Sequence, residues 1–140
     1  MPLLLLVALI HLVAFNSSSS VAESIRDEHN MLVGRIDVDG AVRDSHSLLL
    51  GRIDDDGKVR GCDGKLLGRI TSGGDVRAAD GTRIGTIESD GTVRDGHGRR
   101  LGVVTPDGVV RDAHNQRIGS AEGVRPEWAG AFFFFFPGGL

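Results

Sequence analysis

A seventeen-residue period dominates this chain. The stretch Gly85 to Leu101, GTIESDGTVRDGHGRRL, recurs with drift from Gly34 to Ile118, and full units start at Gly34, Gly51, Gly68, Gly85 and Gly102. A half-unit, 24–33, precedes them and a shortened one, 119–125, follows, as terminal capping or closure of first on last would require. A fixed short period with a glycine at the same place in each copy restricts the fold to a stack or ring of small identical elements. With 21 glycines in 140 residues, kept in phase, the chain reads as a series of tight turns and not as a disordered segment.

With the glycine as position 1, positions 6 and 7 read Asp-Gly in four of the five full units, and Val then Arg follow two residues later. Asp-Gly between alternating apolar residues is a hairpin signal. The copy Thr105-Pro106-Asp107-Gly108 selects the turn, because proline suits the second residue of a type I turn and the glycine then takes the left-handed position of a bulge. That turn pairs position 3 with position 9, so Ile36, Ile53, Ile70, Ile87 and Val104 face Val42, Val59, Val76, Val93 and Val110. A two-residue turn would set position 9 against polar position 4 and lose the apolar face.

A second turn at positions 11 to 14 repeats the chemistry, and the same geometry would pair position 9 with position 17 (Leu50, Leu67, Ile84, Leu101, Ile118). Positions 17 and 3 lie an odd number of residues apart along one strand. A bulge must therefore intervene, and the glycine at position 1 is the expected place. The fold class that follows is all-β, a closed or strongly curled antiparallel meander of tandem hairpins, because closure removes the exposed edges. A parallel solenoid is the alternative, disfavoured because turns every eight or nine residues reverse the chain.

The ends differ from the middle. Residues 1–22 begin with the apolar run MPLLLLVALIHLVAF, too short to span a bilayer but suited to a signal peptide, with Ser20-Val21-Ala22 as a cleavage site. Export, to a secreted, periplasmic or membrane-tethered location, is the expectation; a cytoplasmic one follows if the run is not a signal. Residues 23–140 form the single repeat domain, with 126–140 as its aromatic end. The repeats contain almost no aromatic residues, whereas Trp128 and Phe132, Phe133, Phe134, Phe135 and Phe136 crowd the C-terminus. Five consecutive phenylalanines cannot sit on a strand with one wet face. The expectation is a plug in the ring or a closing strand, with lipid and partner contact as alternatives.

The repeat unit together with Glu127-Trp128-Ala129-Gly130-Ala131 and the five phenylalanines resembles the bacterial five-fold β-flower proteins. The resemblance covers about Ser24 to Phe136. It implies a shallow symmetric β ring of five or six units and supplies no catalytic residues.

Candidate sites are few. The runs Asp37-Val38-Asp39-Gly40 and Asp54-Asp55-Asp56-Gly57 have the oxygen ligands of calcium loops but lack a bidentate glutamate, and turn geometry accounts for them. His29, His46, His97 and His114 share position 13, but successive units would hold them about 10 Å apart, too far to share a zinc ion. Turn chemistry, or histidine's tolerance of the left-handed region, accounts for them. Arg43, Arg60, Arg77, Arg94 and Arg111 share position 10, with Arg26 and Arg125 aligned to it, on the face opposite the core. They form a candidate anion-binding belt, with cross-strand pairing as the plainer account. Cys62 is alone, so no intrachain disulfide forms.

The formal charge of −3 gives no global attraction to nucleic acid. No nucleophile elbow or oxyanion arrangement is present, so no catalytic residues, cofactor or metal are expected. The function expected is a non-catalytic structural or interaction module. The alternative is a lipid or small hydrophobic ligand binder using the axial cavity or the Phe block. Membrane contact would come through that block or the N-terminal run.

Overall fold

The computed structural model describes residues 23–136; the expected signal segment, 1–22, lies outside them. Twelve short strands alternate with tight turns: β1 (Glu23–Asp27), β2 (Leu32–Ile36), β3 (Ala41–Asp44), β4 (Leu49–Ile53), β5 (Lys58–Gly61), β6 (Leu66–Ile70), β7 (Asp75–Ala78), β8 (Arg83–Ile87), β9 (Thr92–Asp95), β10 (Arg100–Val104), β11 (Val109–Asp112) and β12 (Arg117–Ser120). Each strand pairs with its sequence neighbours, and β1 closes on β12, so the sheet is a closed antiparallel barrel. The parallel solenoid is thereby excluded.

The first turn of each unit has the expected form. The Gly40 N–H donates to the Asp37 carbonyl at 2.9 Å, and the same bond recurs at Gly57, Gly74, Gly91 and Gly108. All five glycines have φ between 89° and 91°. A second demand falls on them: a Cβ at Gly40 would overlap the Ile53 carbonyl oxygen of the next unit. The register is the one derived from the proline-containing copy, with Ile36 opposite Val42, Ile53 opposite Val59, Ile70 opposite Val76, Ile87 opposite Val93 and Val104 opposite Val110. All ten are buried.

Between units the expected pairing is corrected. Position 9 faces the following position-1 glycine, not position 17: Val42 stands opposite Gly51, Val59 opposite Gly68 and Val93 opposite Gly102. Arg43 then pairs with Leu49, so the extra residue of the bulge is Leu50, and by the same count Leu67, Ile84, Leu101 and Ile118. The leucine carries the bulge and the glycine beside it sits in the ladder. The position-17 side chains still turn inward, where they pack half-buried against the core.

The ends of the chain combine into one more unit. Arg26 pairs with Ser120 and Asp27 with Gly119, matching Arg43 with Arg35 and Asp44 with Gly34 in the first full unit. Ile25 and Ala121, the counterparts of positions 9 and 3, are both fully buried. The ring thus holds six hairpin units, five continuous and one assembled from the two ends.

After β12 the chain turns inward at Ala121–Val124 and enters the ring as a one-turn helix α1 (Pro126–Gly130), continued by a π-helical turn, Ala131–Phe135. Size sorts the residues along this axis. Ala129, Gly130 and Ala131 lie buried among the inward Ile and Val side chains, and a Cβ on Gly130 would come within 2.9 Å of Ile87 Cδ1. The phenylalanines lie where the ring is lined by glycine. A Cβ on Gly102 would stand 2.6 Å from Phe134 Cζ and one on Gly68 2.9 Å from Phe136 Cζ, and Gly85 and Gly119 meet Phe135 and Phe133 likewise. One phenylalanine thus addresses each of four successive units. The tail is a helical plug and not a closing strand, because β1 and β12 leave no strand edge open.

Candidate functional site

The position-10 arginines point outward from the ring, and the turn chemistry defines what they do there. In every second turn the position-14 residue adopts positive φ: Asn30, Ser47 and Asn115 at 65°, 68° and 66°, and Gly64, Gly81 and Gly98 elsewhere. The Nη1 of Arg26, Arg43, Arg60, Arg77, Arg94 and Arg111 donates to the carbonyl of that residue, four positions on, at 2.9–3.2 Å. The left-handed residue turns its carbonyl toward the preceding strand, and the arginine satisfies it. The Nε of three of them also meets a position-4 carboxylate: Arg43 with Asp37 at 3.8 Å, Arg60 with Asp54 at 3.8 Å and Arg94 with Glu88 at 2.7 Å. The belt therefore holds the second turns in shape, with each guanidinium already engaged by its own unit.

Arg125 does not belong to it. Because the last unit is shortened, this residue falls at the entry to α1, where its guanidinium lies 4.6 Å from the Trp128 ring centroid and 3.5 Å from Asp55. Three arginines that the repeat did not single out, Arg35, Arg52 and Arg69, stand directly opposite Arg43, Arg60 and Arg77. Their signal was position 2 of the unit, which alternation places on the same outward face. Like charges directly opposite are unfavourable, and nearby acids offset them: Arg52, for instance, meets Asp39 at 3.4 Å.

The histidines follow a rule within the turn. Where position 11 is aspartate, its Oδ1 accepts the backbone N–H groups of positions 13 and 15, as Asp95 does from His97 at 2.8 Å and Arg99 at 2.9 Å. Asp27, Asp44 and Asp112 do the same. Position 13 then needs no acceptor, and histidine stands there. Where position 11 is Gly61 or Ala78, position 13 is instead Asp63 or Asp80, which accepts from Lys65 or Thr82 at 3.0 and 2.9 Å. The histidines are exposed and contribute their backbone N–H groups; the left-handed residue is position 14, one beyond them. This exchange between positions 11 and 13 was present in the sequence as a pattern among the copies.

The acids of the first turns have the same use. Asp39, Asp56 and Asp90 accept the N–H of position 8, from Ala41, Lys58 and Thr92 respectively. Those N–H donors hold the three carboxyls below the usual carboxylate range, as the Met31 and Arg99 N–H groups hold Asp27 and Asp95 and the Thr82 N–H holds Asp80; for Asp107 the Thr105 hydroxyl is the main cause. Among the described residues no group of three His, Cys, Asp or Glu side chains is placed to hold a metal ion.

Two surfaces remain. At the first-turn end, a cleft of about 410 Å³ lies between the tips of three hairpins and the start of α1, with Trp128 at its floor and Asp55, Gly73 and Glu127 among its walls. Gly73 stands where four other units carry aspartate, so this tip is bare. At the opposite end, Phe132 to Phe136 and the position-17 side chains are half-buried, and Met31 and Leu48 are 64% and 67% exposed on neighbouring turns. No helix among the described residues is long and apolar enough to cross a membrane.

A family model described as 5-fold beta-flower protein matches residues 19–137. No curated protein matches the chain.

Proposed function

The chain belongs to the 5-fold beta-flower family, and from that premise we propose that it acts as a non-catalytic structural or interaction module that presents the outer surface of a rigid ring. One observation carries this reading: the polar side chains that recur in each unit are engaged with that unit's own backbone, arginine on the second-turn carbonyl and aspartate on the turn N–H groups. Residues used to hold hairpins in shape are spent on architecture. What such a ring offers a partner is a stiff, patterned surface, here the paired arginines of positions 2 and 10 with their flanking acids.

A second reading, binding of lipid or another hydrophobic ligand, draws on the half-buried phenylalanines with Met31 and Leu48 beside them. The helical plug occupies the axis, so that reading rests on the end face and not on an axial cavity. Sedimentation with neutral and anionic liposomes, alongside a hydrophobic dye, separates the two. The module reading predicts neither partition nor dye signal. Partition abolished by Met31→Asp with Leu48→Asp, in protein whose melting is unchanged, would overturn it in favour of the end face.

A further inference from the structure

In the sixth unit no turn joins the two strands, because the chain after β12 turns inward at Ala121–Val124. Five hairpins are closed covalently and carry three registered pairs each, whereas β1 meets β12 through two, Arg26 with Ser120 and Asp27 with Gly119. Closure is fastened from one side by Arg117, whose Nη1 donates to the Asp27 and Glu28 carbonyls at 3.3 and 3.1 Å. The strand held this way cannot simply leave. Ile25 is fully buried, and its departure would open both a core cavity and two strand edges. Only a strand of the same pattern can take its place.

We propose that β1 is exchangeable between copies of this chain, so that the protein forms a dimer in which each ring is closed by the other copy's β1. The partner is thus a second copy, and the acceptor is the slot between β12 and β2 with its Ile25 position. The proposal is independent of which functional reading holds. Exchange preserves the strand pairs of the seam, because the incoming strand makes the same pairs; what it gives up is the Arg117 bond to the Glu28 carbonyl, in the turn that must straighten. It also releases the linking turn from the left-handed conformation of Asn30 at φ 65°, a small gain because asparagine tolerates that region better than most L residues. The reach is sufficient. Four turn residues, Glu28 to Met31, span about 13–14 Å when extended, and sheets pack face to face at about 10 Å.

The test starts with the unmodified protein refolded over a range of concentrations and measured by light scattering and native mass spectrometry. A dimer whose fraction rises with refolding concentration, and which persists after dilution for hours, is expected. Arg26→Cys with Ser120→Cys in a Cys62→Ser background identifies the connection: oxidised dimers should give the 26–120 disulfide between chains, and oxidised monomers within one chain. Arg117→Ala should raise the dimer fraction at least several-fold. Monomer alone at every refolding concentration would overturn the proposal, as would dimers whose 26–120 disulfides stay within one chain. Should the cysteine pair fail to fold, mixing unlabelled and isotope-labelled parent decides: mixed dimers must form on co-refolding and not on simple mixing of folded monomers.

Discussion

Val93 provides the sharpest test of the register. Its side chain is fully buried on the inner face, while Thr92, one residue earlier, faces outward opposite Val103. Val93→Ala removes two methyl groups at about 0.8 kcal/mol each and leaves a partial cavity, so the expected loss is roughly 2–3 kcal/mol. Val93→Asp adds an unpaired carboxylate in an apolar interior, a further several kcal/mol, which together approach the whole stability of a domain this size, about 5–15 kcal/mol. Thr92→Asp should cost about 1 kcal/mol or less, since its side chain lies on the half-exposed outer face. Urea unfolding followed by circular dichroism measures all three. Cooperative unfolding of Val93→Asp at the midpoint of the parent, or equal damage from Thr92→Asp and Val93→Asp, would refute this register.

Three other outcomes follow from the turns. Ser47→Gly should stabilise the protein by roughly 0.5–1 kcal/mol, because glycine adopts the φ of 68° without strain, and thermal melting checks the sign. Acid should unfold it: the seven turn aspartates have folded pKa values below their unfolded ones, so their stabilisation is complete above about pH 4 and is lost as pH falls through the folded values; a melting temperature flat from pH 6 to pH 2 would contradict this. Millimolar calcium or zinc should shift the melting temperature little, since stabilisation requires a site that favours the folded state, and a large calcium-dependent rise would restore the Asp-loop reading.

The hairpin register was legible in one copy, because Pro106 fixed the turn and the turn fixed which residues face one another. The bulge was legible as a necessity but not in its place. Parity requires one extra residue between Leu50 and Ile53 and cannot say whether the leucine or the glycine absorbs it; the Gly51 carbon, opposite Val42, sits in the ladder and Leu50 does not. The tail was legible as buried but not as helical, since five phenylalanines favour neither form. What decides is the ring: its strand edges are already paired, and its inward Ile side chains leave room at that level for Ala129, Gly130 and Ala131 alone. Arg125 aligns with position 10 in sequence but not in space, because the chain leaves the sheet after β12.

The C-terminal segment fills the centre of the ring and completes its core. Ending the chain after Gly130 removes Ala131 and all five phenylalanines, and with them the filling opposite Gly68, Gly85, Gly102 and Gly119. Calorimetry with light scattering on the truncated protein should then show no cooperative transition, accompanied by aggregation. A monomer that melts at the temperature of the full chain would contradict the account and leave the phenylalanines to a role outside the fold.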